Sequence, residues 1–180
     1  RELMRAGAGV QVVMTEAATQ FITPVTMQAL SGRTVVLSQW DAREPNNMAH
    51  INLSREADAI LVAPASADFI AQIAQGRADE LLSLLCLARP LERCPLLLAP
   101  AMNREMWAHP ATRANMAALE SRGVHRVGPS VGEMAERGEA GEGRMAEPAD
   151  ILAAVERLMG AAGALAGRRA LVTSGPTFEP

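Results

Sequence analysis

The sequence has no tyrosine, and its aromatic residues make up only 3% of 180 positions. A core with so few rings must be built from Leu, Val, Ile, Ala and Met. Stacking platforms for single-stranded nucleic acid are scarce. Charge of one sign is not concentrated either: Lys and Arg number 17 against 20 Asp and Glu, for a formal net charge of −3, with no block of five like charges. That excludes the basic footprint of a nucleic-acid binder. Apolar runs such as 59–65 are far shorter than the roughly 20 residues a membrane-spanning helix requires, and no signal peptide is visible. A soluble, cytoplasmic protein is expected. The two cysteines, Cys86 and Cys94, form no CxxC and have no histidine at metal-ligand spacing, so no metal site is expected. Cys86 sits in the apolar run Leu81–Leu87 and reads as a small buried hydrophobe, with a catalytic or disulfide role the less favoured alternative.

What is present is an alternation of short apolar runs and helical patterns. Strands are predicted over 10–14, 34–37, 58–63, 95–99, 124–127 and 169–173. Helical patterns cover 19–30, 66–76, 80–88, 110–122 and 148–159. Pro148 to Met159 is the clearest, with Ile151, Leu152, Val155, Leu158 and Met159 on one face. Pro64 and Pro100 are expected to stop their strands. The stretch 128–147, with glycines at 128, 132, 138, 141 and 143 and a set of acidic residues, reads as a mobile loop. This order implies right-handed βαβ units: an α/β fold with a doubly wound, Rossmann-like or flavodoxin-like parallel sheet flanked by helices. Ligands of such sheets sit beyond the carboxyl ends of the strands. Two strand ends carry the same punctuation, Ala63-Pro64-Ala65-Ser66 and Ala99-Pro100-Ala101-Met102. The prolines turn the chain, the small residues admit a ligand to the backbone, and the following helices offer unpaired N–H groups. These features point to a site near Ser66 and Asn103 without naming a ligand.

Five segments then carry a resemblance. They are Thr15-Glu16-Ala17-Ala18-Thr19-Gln20-Phe21-Ile22, Met48-Ala49-His50-Ile51, Ala63-Pro64-Ala65-Ser66-Ala67-Asp68, the octet Pro100-Ala101-Met102-Asn103-Arg104-Glu105-Met106-Trp107, and Gly141-Glu142-Gly143-Arg144-Met145. In this order they resemble the homo-oligomeric flavin-containing cysteine decarboxylases over about residues 1–159. The match is closest to the decarboxylase half of the bacterial bifunctional decarboxylase–ligase of coenzyme A synthesis. The resemblance implies FMN as cofactor and decarboxylation of 4'-phosphopantothenoylcysteine to 4'-phosphopantetheine. The cofactor supplies the two-electron chemistry that makes a cysteine carboxylate labile, and the protein positions and polarises the substrate.

By the same resemblance, His50 is the base or electrostatic partner of the oxidative half, a role suited to an imidazole. Asn103 holds the substrate carboxylate with a neutral amide. Thr15, Phe21, Pro64, Ser66, Ala67, Ser83 and Met102 line the flavin, while Met106, Arg144 and Met145 face the substrate. From the residues alone, Ser66 and Asn103 also read as helix caps, and Met102 and Met106 equally as core. His109 reads as a cap before Pro110 and His125 as a strand residue. The flap departs from the family pattern: Ala135-Glu136-Arg137-Gly138-Glu139-Ala140 contains no cysteine where the family carries its proton donor. Glu136 is the candidate replacement, with Glu139, solvent, or a reaction that stalls before reduction as alternatives. Asp68 stands where the family has Asn.

The expected domain plan follows. Residues 1–159 form the decarboxylase domain, whose first strand and Gly-rich loop would precede Arg1. Residues 160–167 are a small-residue linker, and 168–180 open a synthetase domain. The resemblance implies a homo-oligomer, a trimer or a dodecamer built from trimers, acting on a small molecule. A peptidyl-cysteine decarboxylase and a non-catalytic flavin-binding regulator are the competing readings.

Overall fold

The computed structural model describes residues 1–40, 48–133, 140–160, 165 and 167–173. In chain order these form α1 (Glu2–Arg5), β1 (Gly9–Val13), α2 (Glu16–Thr19), α3 (Pro24–Ser31), α4 (Ala49–Glu56), β2 (Ala59–Ala65), α5 (Ala67–Ala74), α6 (Leu81–Ala88) and β3 (Leu96–Pro100). There follow α7 (Arg104–Ala108), α8 (Pro110–Ser121), β4 (His125–Arg126), β5 (Ser130–Glu133), β6 (Ala140–Arg144), α9 (Pro148–Met159) and β7 (Arg169–Thr173).

Five strands form one parallel sheet in the order β1-β7-β2-β3-β4. Its inner strands are apolar without alternation because helices cover both faces. Ile60, Val62, Leu96, Leu98 and Leu171 enter one core with Ile70, Leu85, Met116 and Leu119 of α5, α6 and α8. Leu61, Leu97 and Ala99 point the other way, against Ile151, Ala154 and Val155 of α9. The doubly wound parallel sheet expected from the sequence is therefore present.

Local signals set several boundaries. Thr23 caps α3, its hydroxyl accepting from Thr26 N–H at 3.3 Å, and Pro24 occupies the first turn, where its missing N–H costs nothing. Gly160 ends α9 at φ 101°, a left-handed conformation that glycine adopts without strain.

Four expectations are corrected. Pro64 does not stop β2. The strand runs through it to Ala65, with a shift of register against β3 between Val62 and Ala65; a break in the ladder is what a residue without N–H imposes. Residues 34–37 make no strand, only a single bridge between Val36 and Val13. The helix expected over 19–30 starts only at Pro24: α2 ends at Thr19, and Thr23-Pro24 caps a new start. The 128–147 stretch is not simply a loop, since β5 and β6 pair antiparallel across it.

Arg169–Thr173, which the sequence sets apart as opening a second domain, sits between β1 and β2, paired with both. Gly9 N–H donates to the Arg168 carbonyl at 2.7 Å, and Arg169 N–H donates to Asp58 Oδ2 at 2.7 Å. A strand that is apolar on both faces carries no mark of which sheet it joins.

Candidate functional site

The carboxyl edge of the sheet gathers three helix starts, each capped by a residue singled out in the sequence. After β1, the Thr15 hydroxyl accepts from Ala18 N–H at 3.2 Å. After β2, the Ser66 hydroxyl accepts from Phe69 N–H at 3.1 Å. After β3, Asn103 Oδ1 accepts from Glu105 N–H at 2.7 Å. Short polar side chains at these positions satisfy N–H groups that the first turn leaves unpaired. Ala101 N–H donates to the Ala65 carbonyl at 3.1 Å, which locks the two Pro-turn segments side by side. Pro64 and Ala67 are half-buried at this edge, and the Ala63–Pro64 peptide is cis.

The β3 turn is also joined to the hairpin. Met102 N–H donates to the Gly143 carbonyl at 3.0 Å, so the octet and β6 share a backbone hydrogen bond. Met102 is buried in the core and Met106 packs half-buried against it, so both serve as wall. Arg104 lies across β6: a Cβ on Gly141 would meet its Cδ at 2.5 Å. Arg104 also binds the Glu105 carboxylate at 2.6 Å, and that hydrogen bond leads the causes that hold the Glu105 carboxyl below its usual range. Arg144 pairs with Glu147 at 2.7 Å, its stem packed on Gly132, and Met145 packs half-buried against the α9 core. Trp107, buried at the end of the octet, has the Arg113 guanidinium 4.9 Å and that of Arg126 5.6 Å from its ring centre, within cation–π range.

His50 stands in the first turn of α4, half-buried. Its Nδ1 is shielded from solvent with no hydrogen-bond partner among the described residues. A buried imidazole nitrogen left without a partner is costly unless another group completes it. Phe21 follows α2 and is 49% exposed, leaving its ring available for contact. Ser83 does not join this edge. It is fully buried in the first turn of α6, where its hydroxyl donates to the Glu80 carbonyl at 3.0 Å and accepts from Glu80 N–H at 3.3 Å. A hydroxyl engaged in this reciprocal cap has helix-starting as its evident role. Glu136 and Glu139 fall outside the described residues. The His109 cap is as expected, Nδ1 accepting from Ala111 N–H at 3.2 Å. Cys86 and Cys94 are buried free thiols; burial pushes them up to about 12 and about 11, which suits inert packing rather than chemistry.

The sequence did not single out Arg104 against Gly141 or the Gly143 carbonyl. The available signal was the spacing of Gly141 and Gly143, two residues apart on one strand: that face lacks side chains, which invites close approach of another element.

Comparison with known proteins accords with this arrangement. The chain is 44% identical over 179 residues to the coenzyme A biosynthesis bifunctional protein CoaBC of Haemophilus influenzae, and 47% identical to that of Vibrio cholerae, covering 99% of this chain and 44% of each relative. It thus spans less than half the length of these curated relatives. Among solved structures, it resembles a PPC decarboxylase mutant complexed with pantothenoylaminoethenethiol, with a TM-score of 0.66 and 28% identity, covering 84% of this chain and 97% of that one. It also resembles the FMN-dependent cysteine decarboxylase SpaF, with a TM-score of 0.68 and 30% identity, covering 82% and 78%. The Flavoprotein family model matches residues 1–160, and the chain belongs to the Flavoprotein family.

Proposed function

We propose that this chain is the flavin-dependent decarboxylase unit of a larger coenzyme A-forming enzyme. It holds FMN and converts 4'-phosphopantothenoylcysteine to 4'-phosphopantetheine. The observation that carries this reading is the octet: Asn103 begins a helix at the carboxyl edge of the sheet, and its neighbour Met102 is hydrogen-bonded to Gly143 of the hairpin.

The residues present suit a flavin. Thr15 and Ser66 bring hydroxyls and helix starts to one edge, the small residues Ala65 and Ala67 let backbone approach a planar ligand, and His50 Nδ1 is a buried polar atom awaiting a partner. Thr15, Phe21, Pro64, Ser66, Ala67 and Met102 would hold FMN, which supplies reversible two-electron chemistry when bound. Asn103 binds the substrate carboxylate through its amide. Its Oδ1 is committed to Glu105 N–H, which orients Nδ2 as the donor, and a neutral donor does not anchor the carboxylate against leaving as CO2. His50 takes the proton from the substrate thiol side. Glu136, in the flap, returns a proton to the product carbon. Met106, Arg144 and Met145 bound the substrate.

Among the described residues no helix is long and apolar enough to cross a membrane, which accords with a cytoplasmic enzyme of a small-molecule pathway. A homo-oligomer, a trimer or a dodecamer built from trimers, is supported by exposed apolar side chains following β1: Phe21, Val25, Leu37 and Trp40, the last 77% exposed.

The test is turnover by the full-length protein with FMN and 4'-phosphopantothenoylcysteine, followed by mass spectrometry beside His50→Asn. Formation of 4'-phosphopantetheine that is lost in the variant is expected. Flavin-loaded protein that releases no CO2 from this substrate would overturn the reading.

A further inference from the structure

The opposite edge of the sheet holds a cavity of about 190 Å³ that the site above does not use. Leu96, on its wall, is the first residue of β3, whereas Asn103 follows the last; a strand rise of ~3.3 Å per residue separates Leu96 from Pro100 by roughly 13 Å. The wall is chiefly apolar, formed by Leu87, Leu96 and Leu119, and three arginines also line it, Arg77, Arg89 and Arg122.

These cations are unequally satisfied. Arg77 is paired with Asp79. Arg89 Nη1 donates to the Cys86 carbonyl at 2.7 Å, but Nε is buried with no partner. Burial leads the influences on its ionisation, lowering it, and the titratable groups beside it are two thiols rather than a carboxylate. Arg122 Nη1 donates to the Ala74 carbonyl at 2.7 Å. Among the described residues neither Arg89 nor Arg122 takes part in an ion pair. A guanidinium has five donors and does not give up its charge, so half-buried Arg89, which meets only a carbonyl, is completed best by an anion, with the exposed Arg122 as a second donor.

We infer that this cavity binds a small amphipathic anion, a carboxylate on a short hydrocarbon chain. The carboxylate meets Arg89 and Arg122, and the chain lies along Leu87, Leu96 and Leu119. Size sets the length. A cavity of ~150 Å³ holds benzene, and sites for drug-sized ligands begin near ~300 Å³, so the chain has roughly six heavy atoms. Inorganic phosphate would meet the arginines and leave the leucine wall uncovered.

Calorimetric titration of the full chain with hexanoate, hexanol and inorganic phosphate tests this. Saturable binding of one hexanoate is expected, with hexanol and phosphate each at least tenfold weaker. Arg89→Met, which keeps the apolar stem, should weaken hexanoate at least tenfold. Leu87→Glu does the same from a 61% exposed position whose replacement spares the fold, by setting a like charge beside the carboxylate. No saturable hexanoate binding, hexanol or phosphate binding as tightly as hexanoate, or hexanoate affinity unchanged in Leu87→Glu would each overturn the assignment. None of these readouts depends on flavin or turnover.

Discussion

Met102 N–H donates to the Gly143 carbonyl at 3.0 Å, which fixes one strand of the flap hairpin to the turn that carries Asn103. Arg104 then closes over the same strand at Gly141, where a side chain would collide with its Cδ and Cγ. The two contacts make the hairpin an extension of the β3 turn. Gly141→Val should displace Arg104 and loosen the hairpin without touching the core. Steady-state kinetics should show KM for the cysteine substrate raised several-fold, with the melting temperature close to that of the parent. An unchanged KM would separate the hairpin from substrate binding.

Asn103 caps α7 and is the proposed carboxylate ligand, and one substitution can divide the two roles. As a cap, Asn and Asp are equivalent. As a carboxylate ligand they are opposite, because Asp replaces a donor with a like charge. Asn103→Asp should therefore keep the fold and lose about 100-fold or more in kcat/KM, the scale for loss of one aimed donor. Parent-like kinetics in Asn103→Asp would leave the residue a cap and nothing more.

The sequence displayed those features of the fold that depend on neighbours in the chain. The spacing of Ile151, Val155 and Met159 located α9, and the apolar runs located β2 and β3, because burial on both faces writes itself into every residue. The caps at Ser66 and Asn103 were legible for the same reason. What was not legible depends on distant partners. Nothing local in Ala170-Leu171-Val172 says that it lies between β1 and β2. The β5–β6 pairing was hidden because glycine is a poor strand former, and nothing in the residue types marks the Ser83 hydroxyl as closing the first turn of α6.

The buried thiols give a prediction in pH. Cys86 and Cys94 are raised from 9.0 to about 12 and about 11, chiefly by burial. A raised acid holds its proton more tightly when folded, so its stabilising contribution is complete below about pH 9 and is lost as pH climbs toward 11. The chain has no lysine and no tyrosine, so few other groups titrate in that window. Urea midpoints should fall from about pH 8 to about pH 10, and the fall should shrink in Cys86→Ala/Cys94→Ala. Iodoacetamide should label neither thiol near pH 8 until urea unfolds the chain. Rapid labelling of the folded protein would instead mark a reactive cysteine and reopen the question of the proton donor.

Leu171 decides whether the tail belongs to this sheet. It is 1% exposed, pairs in register with Gln11 and Ile60, and enters the same core as Leu98. Removing such a side chain from a packed core costs about 2–5 kcal/mol, because the cavity left behind collapses only partly. Leu171→Ala should lower the stability of this chain by that amount in urea unfolding followed by circular dichroism. The same substitution in the longer protein discriminates further. If residues 168–180 open a second domain there, another strand fills the slot between β1 and β2, and the decarboxylase unit unfolds at the parent's urea midpoint. If Arg169–Thr173 keeps its place, both proteins lose the same stability, and the second domain begins beyond Thr173.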